Sequence, residues 1–133
     1  MEIIILFFLL TFKHAFVDLF VQSYHNQIKK VHYLGGWPHY TEHAIGTFIV
    51  TLCAWRILGV TNLQLAILLA VIDGVAHWHI DWLKHQVLKY YEQRTGLPML
   101  EHRKNVYWLV QCVDQQLHFI TYASLCLIVV GHS

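Results

Sequence analysis

His14, Asp18 and Gln22 recur at intervals of four residues. Asp73, His77 and Asp81 do the same, with Lys84 three residues further on, and Asp114 and His118 repeat the interval in reverse order, accompanied by Gln111, Gln115 and Tyr122. Residues four apart on an α-helix drift by only about 40° around its axis, so each set forms one stripe. His43 adds an imidazole at the start of another apolar run. Imidazole plus carboxylate is the donor set of zinc, manganese and iron sites, and this spacing puts two donors on one helix face. Helical bundles also build two-metal sites from inward-facing carboxylates and histidines. His14, Asp18, His43, His77, Asp81, Asp114 and His118 are therefore candidate donors for one divalent ion, or two, with a coordination position left open. The competing reading is a metal-free network of buried hydrogen bonds and ion pairs, with Lys84 as the counter-charge.

Separate tasks can be given to these residues. His14, Asp18, His43, His77, Asp81 and His118 are the expected ligands. Asp114 is the carboxylate kept off the metal as a general base. Lys84 either snorkels to the membrane surface or holds an anionic head group. Gln22, Asp73 and Gln115 are expected to hydrogen-bond around the ligands. Asp73, one turn from His77, either fixes that imidazole's tautomer or pairs with another polar residue. His79 lies two residues from His77, about 200° round the helix, and reads as packing at the lipid face. His25, His32, His39, His85 and His102 read as solvated loop or helix-end residues, and His132 as terminal.

The elements that must position these groups follow from composition. The chain has 133 residues, of which 56% are hydrophobic and 13% charged. A soluble domain carries about 25% charged residues, and a small one most needs polar cover. Histidine, at 11 residues, outnumbers Lys+Arg at 9, and the net charge of +1 gives no general attraction to nucleic acid, so no nucleic-acid partner is expected. Four mostly apolar segments, about 3–22, 43–60, 62–91 and 106–130, approach the roughly 20 residues that a membrane-spanning helix needs. The expected fold is all-α: one domain over 1–133, an integral-membrane four-helix bundle. The first run is a poor signal peptide, since Glu2 stands where a basic residue would and no A-x-A site follows. Cys53, Cys112 and Cys126 form no CxxC pair and read as small buried hydrophobes.

Residues 23–42, with Gly35, Gly36 and Pro38, read as a surface loop, 58–62 as a tight turn, and 92–105, with Gly96 and Pro98, as a second loop. Lys29, Lys30, Lys84, Lys89, Arg94, Arg103 and Lys104 gather on one side and Arg56 on the other. This predicts cytoplasmic first and third loops, both termini outside, and Trp37, Tyr40, Tyr90, Tyr91, Tyr107 and Trp108 at the cytoplasmic interface. Counted from the outer ends, His14, His43, His77 and His118 then lie about 17–26 Å into a core about 30 Å thick. Helices of alternating direction thus bring their polar residues to one layer.

The stretches KHAFVDLFVQ, EHAIGTF, DGVAHWHIDWLKHQ and VDQQLHFIT, spread over nearly the whole chain, resemble a family of small bacterial and phage membrane proteins known as a domain of unknown function. The resemblance implies a polytopic protein of the bacterial inner membrane with an intramembrane His/Asp cluster, and no particular activity. The His77-x3-Asp81 pair is more distantly similar to one in the LexA-binding inner-membrane metal-dependent hydrolases.

Three functions compete. The residues favour a membrane-embedded metal-dependent hydrolase acting on a lipid-linked or membrane-interface substrate. The alternative is a non-catalytic bacterial or phage membrane protein whose buried cluster is structural and which binds a membrane partner. Ion or proton movement along the stripes is the third, and with so few helices it would require a homo-oligomer.

Overall fold

The computed structural model describes residues 1–21, 32–96 and 105–132, and among them each apolar run is a helix. Helix α1 spans Glu2–Phe16 and widens into a π turn over Val17–Val21 that begins beside Asp18. Such irregular turns recur at functional sites. Helix α2 spans Trp37–Leu58, six residues longer at its start than the expected 43. The correction has a simple cause. Pro38 lies in its first turn, where a missing N–H costs nothing and the fixed φ suits the helix, so the Gly-Gly-x-Pro run starts a helix rather than extending a loop.

Gly59 ends α2 at a left-handed φ of 71°, and its N–H donates to the Trp55 carbonyl at 3.2 Å. Asn62 then opens helix α3, Leu63–Thr95, by accepting from the Leu65 N–H at 2.8 Å. Helix α3 outlasts the expected 91 and stops at Gly96, whose φ of 67° suits a residue without a Cβ. Helix α4 spans Asn105–His132.

The helices form a four-cornered bundle. Helix α1 packs against α2 and α4, α2 against α3, and α3 against α4. The interior is layered along the bundle axis. At one end Leu6, Leu10, Ala54, Leu65, Leu69, Leu125 and Val129 make an apolar core. Below it the interior turns polar, with Lys13, Thr47 and Asp73, then His14, His43, His77 and His118, then His39, Asp81 and Asp114, every one of them buried. The outer surface is the reverse: Phe8, Phe12, Val71, Ile120 and Leu127 are more than half exposed. Polar groups inside and large apolar ones outside invert the pattern of a bundle folded in water.

Helix α1 with its π turn, α3 and α4 are long and apolar enough to cross a membrane. Helix α2 is not among these, because His39, Glu42, His43, Thr47, Thr51 and Arg56 dilute its apolar character. Among the described residues the cysteines are free. Cys53 and Cys112 are exposed rather than buried as expected, because they lie on the outward apolar face, and Cys126 is buried. Of the expected interfacial aromatics, Trp37, Tyr90 and Trp108 are exposed, whereas Tyr40 and Tyr107 turn into the bundle.

Candidate metal centre

All four helices feed one buried cluster. Helix α1 and its π turn bring His14 and Asp18, α2 His39 and His43, α3 His77 and Asp81, and α4 Asp114 and His118; every pair is separated by four residues, and all but Asp18, 28% exposed, are buried. The His43 and His77 rings stack at 3.5 Å between centroids, His77 and His118 at 4.1 Å, and His14 lies 4.6 Å from His118. His39 closes the group, 4.4 Å from His43.

The carboxylates meet these rings at their Nε2 edges. Asp18 Oδ1 lies 3.2 Å from both His39 Nε2 and His43 Nε2, and its Oδ2 lies 3.3 Å from His14 Nε2. Asp81 Oδ2 lies 3.7 Å from His39 Nε2 and from His77 Nε2, and its Oδ1 3.7 Å from His118 Nε2. Asp114 Oδ1 lies 3.7 Å from His118 Nε2.

Three sets have donor atoms all within 4.8 Å of one another: Asp18, His39, His43 and His77; His14, His77 and His118; and Asp81, Asp114 and His118. Ligands bonded to zinc at about 2.1 Å in tetrahedral geometry stand about 3.4 Å apart, within the observed spread. Several approaches are close without being hydrogen bonds. His14 Nε2, both ring nitrogens of His39 and of His77, and Asp114 Oδ1 are buried with no hydrogen-bond partner among the described residues. Buried polar atoms are ordinarily satisfied; His39 Nδ1 lies 3.4 Å from Glu42 Oε2, and the Nε2 atoms gathered around Asp18 and Asp81 are of the kind a cation satisfies. These His/Asp groups could hold a metal ion.

A second network caps the cluster on its apolar side. Lys13 Nζ donates to Asp73 Oδ2 at 2.8 Å and to the Tyr122 hydroxyl at 3.3 Å, and lies 3.4 Å from His43 Nδ1. Thr47 donates to the same Asp73 oxygen at 2.6 Å, and the Tyr122 hydroxyl lies 3.0 Å from His14 Nδ1. Asp73 thus pairs with Lys13 and Thr47 rather than fixing His77. On the opposite side Lys84 is drawn inward, 3.0 Å from Asp114 Oδ2 and 3.4 Å from Asp81 Oδ1, instead of snorkelling. Gln115 also donates to Asp114 Oδ2, at 3.2 Å. Asp114 lies in a donor group with Asp81 and His118.

Two histidines expected at the surface are buried. His39 is 0% exposed, and its spacing from His43 repeats the four-residue signal, hidden by the glycines and proline before it. His85 is buried with Nδ1 2.8 Å from the Asp81 carbonyl oxygen. His32, His79 and His132 are exposed. Lys13 is the other residue missed: adjacent to His14, it lies about 100° round α1 and faces a different neighbour. Gln22, His25, His102, Lys29, Lys30, Arg103 and Lys104 lie outside the described residues. No protein-family model, curated protein or solved structure matches this chain.

Proposed function

We propose that this chain is a metal-dependent hydrolase embedded in the bacterial inner (cytoplasmic) membrane, with both termini outside, acting on a lipid-linked or membrane-interface substrate. The observation that carries this reading is the position of Asp81. Its Oδ2 faces His39 and His77 and its Oδ1 faces His118, each at 3.7 Å, in a side chain 2% exposed. The residues around it would hold two ions, Asp18, His39 and His43 on one side and His118 and Asp114 on the other, with Asp81 next to both sets. Two-metal hydrolytic sites hold their ions about 3.5–4 Å apart. Zinc, manganese and iron all suit this donor set. The orientation rests on Lys84, Lys89 and Arg94 lying toward one end of α3 while Arg56 lies at the opposite end of the bundle.

Bound ions supply a water acidified toward a pKa of about 7 and polarise a carbonyl or phosphoryl oxygen. The rest falls to the chain. The apolar core around Leu10 and Leu69 shuts water out from one side. Asp114 Oδ2, which accepts from Lys84 and Gln115, takes up a proton from water once Lys84 turns from it to the substrate. Lys84 holds an anionic group of the substrate. The test is elemental analysis of the purified protein beside His77→Ala and Asp81→Ala, followed by turnover of lipid-linked esters and phosphates. The reading predicts metal in the parent, its loss in both variants, and metal-dependent turnover. A folded parent that holds no metal even after reconstitution overturns it.

One observation favours a non-catalytic cluster instead. Lys84 lies against both Asp81 and Asp114 and offsets part of their charge without any ion. A metal-free network of this kind would keep its thermal stability on chelation, a structural metal site would lose it, and neither would turn over a lipid-linked substrate.

A further inference from the structure

Between α3 and α4 a groove of about 240 Å³ runs up to the metal centre. Leu83, Val87, Leu109 and Val113 are among its walls, and Lys84 and Asp114 are the polar side chains among its described lining. It opens outward, with Leu83 50%, Leu109 64% and Val113 51% exposed. Its walls follow α3 from Ile80 to Val87, about 10 Å along the axis. The 33 residues of α3 make a helix about 50 Å long against a hydrocarbon core of about 30 Å, so one end projects. The charged end does, since Lys89, Glu92 and Arg94 are there. The groove therefore lies where hydrocarbon meets the polar boundary.

Charge narrows the occupant. Asp18, Glu42, Asp81 and Asp114 against Lys84 leave three negative charges, the imidazoles being neutral as ligation requires. Two divalent ions would leave the centre with one positive charge, to be met by an anionic ligand. Lys84 then faces carboxylates whose charge is already committed.

We propose that the groove seats the hydrocarbon chain of a lipid phosphate, with the phosphate at its Lys84 and Asp114 end. The chain takes the place of membrane lipid against Leu83, Leu109 and Val113, and Lys84 exchanges its bond to Asp114 for one to a phosphate oxygen. This assignment rests on the hydrolase reading and names its substrate class.

The test uses the full-length, metal-loaded protein in neutral detergent with dodecylphosphonate, whose C–P bond resists hydrolysis, and counts bound ligand by native mass spectrometry. Metal content is measured on the same samples. One equivalent is expected on the parent, with binding of methylphosphonate and dodecanol at least tenfold weaker. Val113→Trp and Leu109→Trp fill the groove and should each weaken binding at least tenfold at unchanged metal content. Ile120→Trp, at an exposed position outside the groove lining, should bind like the parent. Parent-like binding in both groove variants with metal retained overturns the groove while leaving the metal centre standing. Equal binding of dodecanol overturns the phosphate. A dimer that binds no dodecylphosphonate and separates in Val113→Trp overturns the lipid in favour of a second copy. A parent without metal overturns the hydrolase reading and this one with it.

Discussion

Lys13 and Asp73, sixty residues apart in sequence, meet at 2.8 Å inside the bundle with 6% and 1% of their side chains exposed. A buried pair of this kind gains its attraction only while both partners are present; removing one leaves an uncompensated charge and costs about 3–5 kcal/mol. Lys13→Ala and Asp73→Ala should each destabilise the protein by about that much in detergent unfolding. Lys13→Met combined with Asp73→Leu should recover most of the loss, because neither charge then remains. A double variant no more stable than the single ones would show that the pair is not the source of the effect.

Gly46 makes that meeting possible. A Cβ at position 46 would stand 2.7 Å from Lys13 Cδ and 2.9 Å from its Cγ. A free lysine stem would swing aside, but this one is pinned at its far end by Asp73. Gly46→Ala should therefore cost about 1–3 kcal/mol, as overpacking does. In a Lys13→Ala background the same change should cost close to nothing. The difference is a coupling energy that unfolding of the four proteins in the cycle measures directly. Equal costs in both backgrounds would place the strain elsewhere.

Stripes were the readable part of this chain. His14 and Asp18, His77 and Asp81, and Asp114 and His118 each declare one helix face through their spacing, and those faces do converge. Which partner each residue takes is a property of neighbouring helices, and spacing on one helix says nothing about it. The position of Asp73 leaves it open between His77 and another polar partner, and it bonds across the bundle to α1 and α2. The position of Lys84 allows a snorkelling cation, a head-group ligand or a buried counter-charge, and two carboxylates hold it inside. The start of α2 was obscured differently, since Gly35, Gly36 and Pro38 carry the same residue signal whether a loop continues or a helix begins.

That obscured start hides His39, which shares Asp18 Oδ1 with His43 at 3.2 Å from each ring. If the shared oxygen marks a ligand group, His39→Ala should lower metal content as strongly as His43→Ala. His79 supplies the matched comparison: it lies on α3 two residues from His77, is exposed, and has Nδ1 2.7 Å from the Val75 carbonyl oxygen of its own helix. His79→Ala should retain the full complement of metal. Elemental analysis of the folded variants decides, and full retention by His39→Ala would remove that residue from the centre.

Asp81 and Asp114 are both buried carboxylates beside His118, and the proposed two-ion arrangement assigns them different weights. Asp114 approaches only His118 among the imidazoles of the cluster, whereas Asp81 approaches His39 and His77 with one oxygen and His118 with the other. Asn in either position keeps the shape and removes the charge. Asp114→Asn should therefore lower the stoichiometry from two ions per chain toward one, and Asp81→Asn should weaken both. Titration of each folded variant with zinc, read by elemental analysis after removal of free metal, separates these outcomes. A single centre shared by all three carboxylates would instead give the same one-ion loss whichever of Asp18, Asp81 or Asp114 is changed, and the place of Asp81 beside both ions would fall.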